Sequence, residues 1–199
     1  MIKHEYISNY DLGFVNEDTV IIEVGTGPYG EASSVFFANL SKKTGASFHT
    51  IDINPDMINT LKHFMPEDLD YTFYNTDGES FFANYPLEKQ ISVLYLDNYD
   101  WIYKGQEGTK YIKEQLDRYK TVYNIEMNNI SSTIAHLRQL LNAYKHLNTQ
   151  CIIAIDDTWY DETLGTYMGK GSACVYYLLA HGWSIDDKGA TQILYRGIE

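Results

Sequence analysis

Residues 20–30 read VIIEVGTGPYG and set the pattern for the whole chain. The first part is an apolar run rich in β-branched residues, which predicts a buried parallel strand. Glycines 25, 27 and 30 follow, and residues 31–40 have the pattern of an amphipathic helix. A strand, a glycine turn and a helix in this order bring backbone close to a nucleotide-like ligand, because glycine has no Cβ to collide with it. The glycine turn alone is a weak indication of a particular ligand, so the ligand has to be inferred from the residues around the turn.

Strands and helices alternate along the rest of the sequence. Strands are predicted at residues 20–24, 47–52, 70–75, 91–97 and 151–156, with a final pair at 183–185 and 192–195. Helices are predicted between them, near residues 30–43, 54–64, 78–82, 106–123, 130–146 and 172–181. This alternation predicts an α/β fold, a Rossmann-like, doubly wound, mostly parallel sheet of seven strands with helices on both faces and a final antiparallel strand. We expect one domain over residues 1–199, with a helical insert at about 105–147.

Composition narrows the class of protein. The 199 residues carry a formal net charge of −12, which argues against a nucleic-acid partner because such binding uses lysine and arginine to neutralise phosphates. No apolar run approaches the roughly 20 residues of a membrane span, and residues 1–6 lack the apolar centre of a signal peptide. Two cysteines fit a reduced, cytoplasmic protein. We therefore expect an enzyme for a small molecule, and the sequence leaves open a homo-oligomer.

Acidic residues or glycine turns follow every predicted parallel strand. Glu23 and the glycines end strand 1, Asp52 ends strand 2, and Asp77 with Gly78 follows strand 3. Strand 4 ends at Asp97, and strand 5 ends at Asp156 and Asp157. In open parallel sheets the ligand lies outside the carboxyl ends of the strands, so we expect these residues to surround one site.

The acids distinguish between two kinds of cofactor. Asp52 lies 22 residues after Gly30 at a strand end, where it can accept hydrogen bonds from a ribose diol of either NAD or S-adenosylmethionine. Glu23, two residues before the first glycine, would repel the pyrophosphate of a dinucleotide, whereas it favours the sulfonium and amino groups of S-adenosylmethionine. Asp77 is placed to meet an adenine edge, a position that a dinucleotide enzyme does not normally use.

At these residues the chain resembles the class I S-adenosylmethionine-dependent methyltransferases. The resemblance is carried by Glu23–Gly27, Ile51–Asp56 and Asp77–Gly78, and it extends over strands 1 to 5. It implies that Glu23 and the turn of Gly25, Thr26, Gly27 and Gly30 lie near the methionine part of the cofactor. It also implies Asp52, followed by Ile53, at the ribose, and Asp77 with Gly78 near adenine. Asp52 could instead cap the helix that Pro55 opens.

The ends of strands 4 and 5 predict a metal. Asp97, Asp156 and Asp157 would meet at neighbouring strand ends, and clustered carboxylates repel one another unless a cation lies among them. Oxygen ligands suit Mg²⁺ or another hard divalent cation. The segments Leu96–Asp100 and Ile155–Trp159 resemble the metal-binding positions of the cation-dependent O-methyltransferases of the catechol, caffeoyl-CoA and macrolide-sugar types. The resemblance implies O-methylation of a small-molecule hydroxyl on the metal, with Asp97 catalytic and also beside the cofactor.

The general base is not fixed by this resemblance. The catechol type has a lysine three residues after the first aspartate, and this chain has Asp100 there. His136, on a predicted helix, is a candidate base because a histidine near its ordinary pKa suits proton removal; it could equally be a structural histidine. Lys170, between two glycines, could act as base, meet an anionic group or be a solvated loop residue. Aromatic residues beside the proposed metal ligands could wall the acceptor: Tyr99, Trp101, Trp159 and Tyr160.

Three alternatives to a metal-assisted O-methyltransferase remain open. The first is a metal-independent methyltransferase on the same fold, which would act on nitrogen or a carboxylate. The second is an NAD-dependent oxidoreductase, which Glu23 disfavours. The third is a non-catalytic binding module, which would not need acids at every strand end. The acceptor could be a sugar hydroxyl, a catechol-like ring or a natural-product intermediate.

Overall fold

A single twisted sheet of seven strands forms the centre of the protein. The computed structural model describes residues 3–27, 33–85, 88–187 and 189–198. The strands of the sheet are β1 (Thr19–Val24), β2 (Ser47–Asp52), β3 (Thr72–Asn75), β4 (Gln90–Leu96), β5 (Leu147–Ile155), β8 (Ser184–Asp187) and β9 (Gln192–Arg196). Their order is β3-β2-β1-β4-β5-β9-β8, and β9 is antiparallel to both of its neighbours. The predicted seven-stranded Rossmann-like sheet with a final antiparallel strand is confirmed.

Helices cover both faces of the sheet. A 3₁₀ helix spans Lys3–Asn9, and the α-helices are α1 (Ser33–Thr44), α2 (Met57–Phe64), α3 (Gly78–Ala83), α4 (Lys110–Tyr123), α5 (Asn129–Tyr144) and α6 (Ser172–Ala180). Alternate residues of a strand point to opposite faces, so Ile22 packs in the core on the side of α3, α5 and α6. Ile21 packs in the core on the side of α1 and α2. β1 is buried along its whole length, as the apolar run at residues 20–24 predicts.

The parallel strands place their carboxyl ends at one edge. β1 pairs in parallel with β2 on one side and with β4 on the other. Successive strands are therefore added in one direction from β1 to β3 and in the opposite direction from β4 onward, which makes the gap between β1 and β4 the topological switch point. β4 also pairs in parallel with β5. The ends of β1, β2, β4 and β5 therefore surround the crevice where open parallel sheets bind ligands.

The segment predicted as a helical insert divides into two parts with different surroundings. Its second helix, α5, packs between α3 and α6 and places Leu140 and Ala143 in the main core, so it is the crossover helix that links β4 to the parallel strand β5. α4 is amphipathic but exposed on most of its surface, with Ile112 as its buried residue. Only the part of the insert around α4 therefore lies outside the helical layer that covers the sheet.

A short hairpin replaces the loop expected after strand 5. β6 (Thr158–Asp161) and β7 (Thr166–Gly169) pair as a separate two-stranded sheet. Four-residue strands are too short to give a clear periodic pattern, which is why the sequence does not predict them. The hairpin returns the chain to the end of β5, directly beside Asp157. None of the described helices is long and apolar enough to cross a membrane.

Candidate active site

A cavity of about 300 Å³ opens at the carboxyl ends of β1, β2 and β4. That volume is at the lower end of the range for small-molecule sites. Its wall includes these residues predicted to bind a cofactor: Gly25, Thr26, Gly27, Asp52, Ile53, Asp77, Gly78 and Asp97. The structure therefore brings together most of the site that the sequence proposed for a nucleotide-like ligand.

Gly25 allows the turn after β1 to pass against the end of β4. Its φ is +94°, and a Cβ there would lie 2.5 Å from the carbonyl oxygen of Asp97. A side chain at this position would therefore both strain the backbone and collide with it. Gly25 therefore lets the end of β1 lie directly against the backbone of Asp97, and both residues line the cavity.

Asp52 is oriented by two backbone amides. The N–H of Thr26 donates to its Oδ2 at 3.1 Å, and the N–H of Asn54 donates to its Oδ1 at 2.7 Å. Burial raises the pKa of Asp52, although both amide hydrogen bonds oppose that rise. The carboxylate thus stands at a fixed place on the cavity wall. The alternative interpretation as a helix cap is not supported, because the N-cap of α2 is Asp56.

Asp77 and Gly78 form the start of α3 on the next part of the wall. The N–H of Ser80 donates to Asp77 Oδ1 at 2.8 Å, so Asp77 caps the helix and lines the cavity at once. A Cβ on Gly78 would lie 2.7 Å from Val24, which explains why glycine begins this helix beneath the cavity.

Glu23 does not lie on the cavity wall, so direct contact with the methionine part of a cofactor does not fit the structure. Its carboxyl is fully buried and accepts hydrogen bonds from Ser33, from Ser34 at 2.5 Å and from Thr50 at 2.7 Å. Ser34 Oγ in turn accepts the N–H of Gly27. Glu23 thereby shapes the glycine turn from below, and burial raises its pKa to about 7. Gly30, the third glycine of the pattern, lies outside the described residues.

Lys170 lies between the carboxylates of Asp97 and Asp157. Its Nζ is 2.8 Å from Asp97 Oδ1 and 3.3 Å from Asp157 Oδ2, and it donates to the carbonyl oxygen of Tyr99 at 3.1 Å. Lys170 is 1% exposed, so the expectation of a solvated loop residue is wrong. Burial alone would lower the pKa of Lys170, but Asp97 and Asp157 outweigh it and hold that pKa above its ordinary value.

The two glycines around Lys170 explain how a loop lysine becomes buried. A Cβ on Gly169, whose φ is +91°, would lie 1.9 Å from the carbonyl oxygen of Asp157. A Cβ on Gly171 would lie 2.2 Å from Ile155 Cγ2. The chain therefore passes against the end of β5 with no room for a side chain on either side of the lysine. This segment is a tightly packed turn.

The predicted magnesium site of Asp97, Asp156 and Asp157 does not fit this arrangement. Asp97 and Asp157 already have the Lys170 ammonium between them, so their charges are compensated by the protein itself. Asp156 is buried away from the cavity wall, and its Oδ1 accepts a hydrogen bond from Thr191 at 2.7 Å. Among the residues described, no group of three His, Cys, Asp or Glu side chains is arranged to hold a metal ion.

His136 is not placed to act as the base. It is fully buried on α5 and lies outside the cavity wall, with Nδ1 2.9 Å from the carbonyl oxygen of Ser132. Burial, helped by the nearby Lys170 charge, lowers the pKa of His136 to about 3. The imidazole is therefore neutral at ordinary pH and closed off from an acceptor in the cavity. The interpretation of His136 as a structural histidine is the one that fits.

Asp97, on the cavity wall, is held by two side chains. Its Oδ1 is held by Lys170, and its Oδ2 accepts the Tyr95 hydroxyl at 3.2 Å. Burial raises the pKa of the Asp97 carboxyl even though the Lys170 ammonium favours its ionised form. The side chain keeps 31% exposure, so it can still meet a ligand.

Some wall residues were not predicted from the sequence. Tyr119, on α4, stacks on Tyr99 with ring centroids 5.8 Å apart, and its hydroxyl donates to Asp100 Oδ2 at 3.3 Å. These contacts fix α4 over the cavity, which has Tyr99, Asp100 and Tyr119 on its wall. Nothing in the local sequence links Tyr119 to Asp100. For Lys170, the flanking glycines Gly169 and Gly171 were the available signal, because glycine permits a close approach of the backbone.

The aromatic residues near Asp157 form a cluster of their own. The Tyr103 ring stacks on Trp159 at 5.7 Å, and Trp101 meets Trp159 edge-on at 6.1 Å. The Tyr103 hydroxyl donates to Asp157 Oδ1 at 2.8 Å. Of the four aromatics predicted to wall the acceptor, Tyr99 lines the cavity, whereas Tyr160 is exposed and packs on Tyr167.

The similarities between this chain and known proteins are similarities of fold. No protein-family model and no curated protein matches the sequence. Among solved structures, human methyltransferase-like protein 13 in complex with SAH is similar with a TM-score of 0.56 and 11% identity, over 100% of this chain and 83% of that one. The N-methyltransferase NodS from Bradyrhizobium japonicum gives 0.55 and 11%, over 98% and 94%.

An rRNA methylase from Streptococcus thermophilus is also similar, with a TM-score of 0.51 and 13% identity over 98% of each chain. One of these neighbours is named as an N-methyltransferase and another as an rRNA methylase, so the similarities indicate no common acceptor. The sheet order, the single antiparallel strand and these similarities agree: the chain has the fold of the class I S-adenosylmethionine-dependent methyltransferases.

Proposed function

We propose that the protein is an S-adenosylmethionine-dependent methyltransferase that methylates a hydroxyl group of a small molecule. The observation that carries the proposal is the ring of carboxylates at the strand ends, with Asp52, Asp77 and Asp97 on one cavity wall. Carboxylates accept hydrogen bonds from a ribose diol and an adenine amino group, and they favour a sulfonium. A pyrophosphate would be repelled there, which disfavours the NAD-dependent alternative.

The chain's own residues divide the work. Asp52 would hold the ribose hydroxyls, Asp77 would meet adenine, and the Gly25–Gly27 backbone would lie along the methionine part. The bound cofactor supplies an electrophilic methyl group. Asp97 would accept a hydrogen bond from the acceptor hydroxyl, hold its oxygen in line with the methyl group and take its proton as the O–C bond forms, while the S–C bond breaks and S-adenosylhomocysteine leaves. Mg²⁺ assistance is not included, because Lys170 lies where the cation would be needed.

An amine acceptor is the second candidate. On the described wall, Asp52, Asp77, Asp97, Asp100 and Asp157 outnumber the single cation Lys170. This excess of negative charge would attract a protonated amine as well as a hydroxyl donor. Incubation with isotopically methyl-labelled S-adenosylmethionine and matched alcohols, phenols and amines, followed by mass spectrometry, distinguishes oxygen from nitrogen as the methylated atom.

Calorimetric titration with S-adenosylhomocysteine tests the cofactor. We expect a one-to-one complex, no comparable heat with NAD, and at least about tenfold weaker binding by Asp52→Ala, which loses hydrogen bonds to a charged group. Asp56→Ala is the matched control, because Asp56 is exposed and its side chain makes no capping bond to α2. A folded wild-type protein that binds neither S-adenosylhomocysteine nor S-adenosylmethionine would overturn the proposal.

A further inference from the structure

The protein both hydrogen-bonds and ion-pairs the Lys170 ammonium. An ammonium has three N–H donors, and three oxygens surround Nζ: Asp97 Oδ1 at 2.8 Å, the Tyr99 carbonyl at 3.1 Å and Asp157 Oδ2 at 3.3 Å. Two are carboxylate oxygens and one is a backbone carbonyl. This is the donor chemistry that hard divalent cations select in proteins. The ammonium lies where such a cation would be bound.

Two of the three described non-glycine residues with a positive φ hold Lys170, and the third, Asn124, ends α4. Tyr99 and Asp157 are non-glycine residues with φ of +56° and +46°, in the left-handed region. That region is unusual for a bulky residue such as tyrosine. Strained residues persist where the surrounding structure fixes them, and they cluster at functional sites. The strain gives a carbonyl from Tyr99 and a carboxylate from Asp157 to the same ammonium.

The route of the chain also serves the lysine. Gly169 and Gly171 have no room for a Cβ, and the backbone N–H of Lys170 donates to the Asp157 carbonyl at 3.0 Å. The hairpin β6–β7 therefore delivers one long cationic side chain to a buried position between acids. A buried ammonium is tolerated only when it is paired and hydrogen-bonded, and here both conditions are met.

We propose that Lys170 is a built-in cation that replaces a divalent metal between Asp97 and Asp157, so that this site works without a metal ion. Lys170 is a positioning residue: it holds the two carboxylates while Asp97 remains exposed to the cavity. Its effect on an acceptor rests on the proposed function, whereas the replacement of a metal does not. An acceptor here has no cation to chelate, so it needs one hydrogen-bond donor and not two adjacent hydroxyls.

Titration with MnCl₂ tests this inference directly. We expect no stoichiometric Mn²⁺ site in the wild type and a new one-to-one site in Lys170→Ala, at least about tenfold tighter than any binding by the wild type, because the vacated space is lined by oxygen ligands. Lys43→Ala controls for loss of a positive charge, since Lys43 is exposed near the carboxyl end of α1. Lys170→Ala/Asp157→Asn should lose the new site.

Two results would overturn the inference: a wild-type Mn²⁺ site that Asp157→Asn abolishes, or a folded Lys170→Ala that gains no site. If Lys170→Ala is unfolded without metal, circular dichroism after refolding with Mn²⁺ decides. If Mn²⁺ refolds Lys170→Ala but not Lys170→Ala/Asp157→Asn, the inference is supported. If Mn²⁺ does not refold Lys170→Ala, the inference is refuted. No methyl donor is used, so failure here is distinct from failure to bind S-adenosylhomocysteine, which concerns the proposed function alone.

Discussion

The two sides of the cavity are held in place by different means. On the side of β1, β2 and β3, Asp52 and Asp77 accept hydrogen bonds from nearby backbone amides. On the side of β4 and β5, Asp97 and Asp157 are held by the side chain of Lys170, 73 residues from Asp97 along the chain. Asp52 and Asp77 are therefore stabilised by neutral backbone amides, which are numerous at turns. Asp97 and Asp157 share the charge of one buried ammonium.

This difference makes the second side the more vulnerable one. Removing one amide contact from Asp52 leaves another, but removing Lys170 leaves two acids without their shared cation. The first side follows mainly from turn and cap chemistry close in sequence, with the Thr26 amide as its one long-range contact to Asp52, and the second side follows from long-range packing.

Replacement of the buried cation should cost the most stability. We expect Lys170→Met to lower the free energy of unfolding by about 3–5 kcal/mol, because it removes a fully buried cation from between two partly buried carboxylates. Lys43→Met, at an exposed lysine, should stay within about 0.5 kcal/mol of the wild type. Guanidinium denaturation measures both. Adding Asp97→Asn to Lys170→Met should recover part of the loss, and a single variant as stable as the wild type would contradict the ion-pair description.

Glu23 should give the protein a pH-dependent weakness on the first side. The pKa of Glu23 is about 7 in the folded protein against 4.5 when exposed, so its ionisation opposes folding. The wild type should lose stability as the pH rises from about 5 to about 7. The advantage of Glu23→Gln should grow over that window by up to about 3–4 kcal/mol, since one pKa unit is worth about 1.4 kcal/mol.

Denaturation of Glu23→Gln and of the wild type at a series of pH values measures that difference. Glu67→Gln, at an exposed glutamate, controls for the loss of one negative charge. A constant difference between Glu23→Gln and the wild type from pH 5 to pH 8 would show that Glu23 is not buried as an acid.

The turn that carries Lys170 should not accept a side chain. Gly169→Ala should destabilise the protein by about 2 kcal/mol more than Gly182→Ala, because only the first adds a collision to the strain of a positive φ, which itself costs about 1–2 kcal/mol. Gly182 has φ of +79°, and no described atom lies within 4 Å of the position that its Cβ would take. Equal thermal stability of the two variants would mean that the turn is loose.

The smallest effect is expected at His136, which belongs to neither side of the cavity. Because burial lowers its pKa to about 3, its imidazole should stay neutral between pH 8 and pH 5. Nitrogen-15 NMR of the ring would record no titration there, while an exposed histidine titrates near about 6.5. We also expect His136→Gln to leave S-adenosylhomocysteine affinity within about twofold, as for a residue outside the wall. Titration near neutral pH would restore His136 as a candidate base.

Much of the first side could be predicted because its signals are local. The apolar run at 20–24, the glycine turn and the acids at strand ends each report geometry within a few residues of themselves. Glu23 shows the limit of such signals. Its position before the turn indicated a role in the site, but whether it faces the ligand or the core depends on Ser33, Ser34 and Thr50, which fold around it.

The second side could be predicted only in its acids. Asp97 and Asp157 were identified because parallel neighbours β4 and β5 end there. What lies between them depends on where the hairpin β6–β7, which begins directly after Asp157, returns the chain, and its short strands leave no clear pattern. Three acids at two strand ends indicate that a cation is needed, but they do not say whether it is a metal ion or a lysine.

The sequence by itself determined the Rossmann-like sheet, the position of the cavity and the acids around it, because alternating apolar runs and glycine turns act through neighbouring residues. Only the tertiary structure decided that Glu23 and His136 are buried away from the cavity, that Asp156 turns to Thr191 and that Lys170 is the cation between Asp97 and Asp157. These outcomes depend on contacts between residues far apart in the chain. Burial then determines the charge of each of these side chains and whether a ligand can reach it.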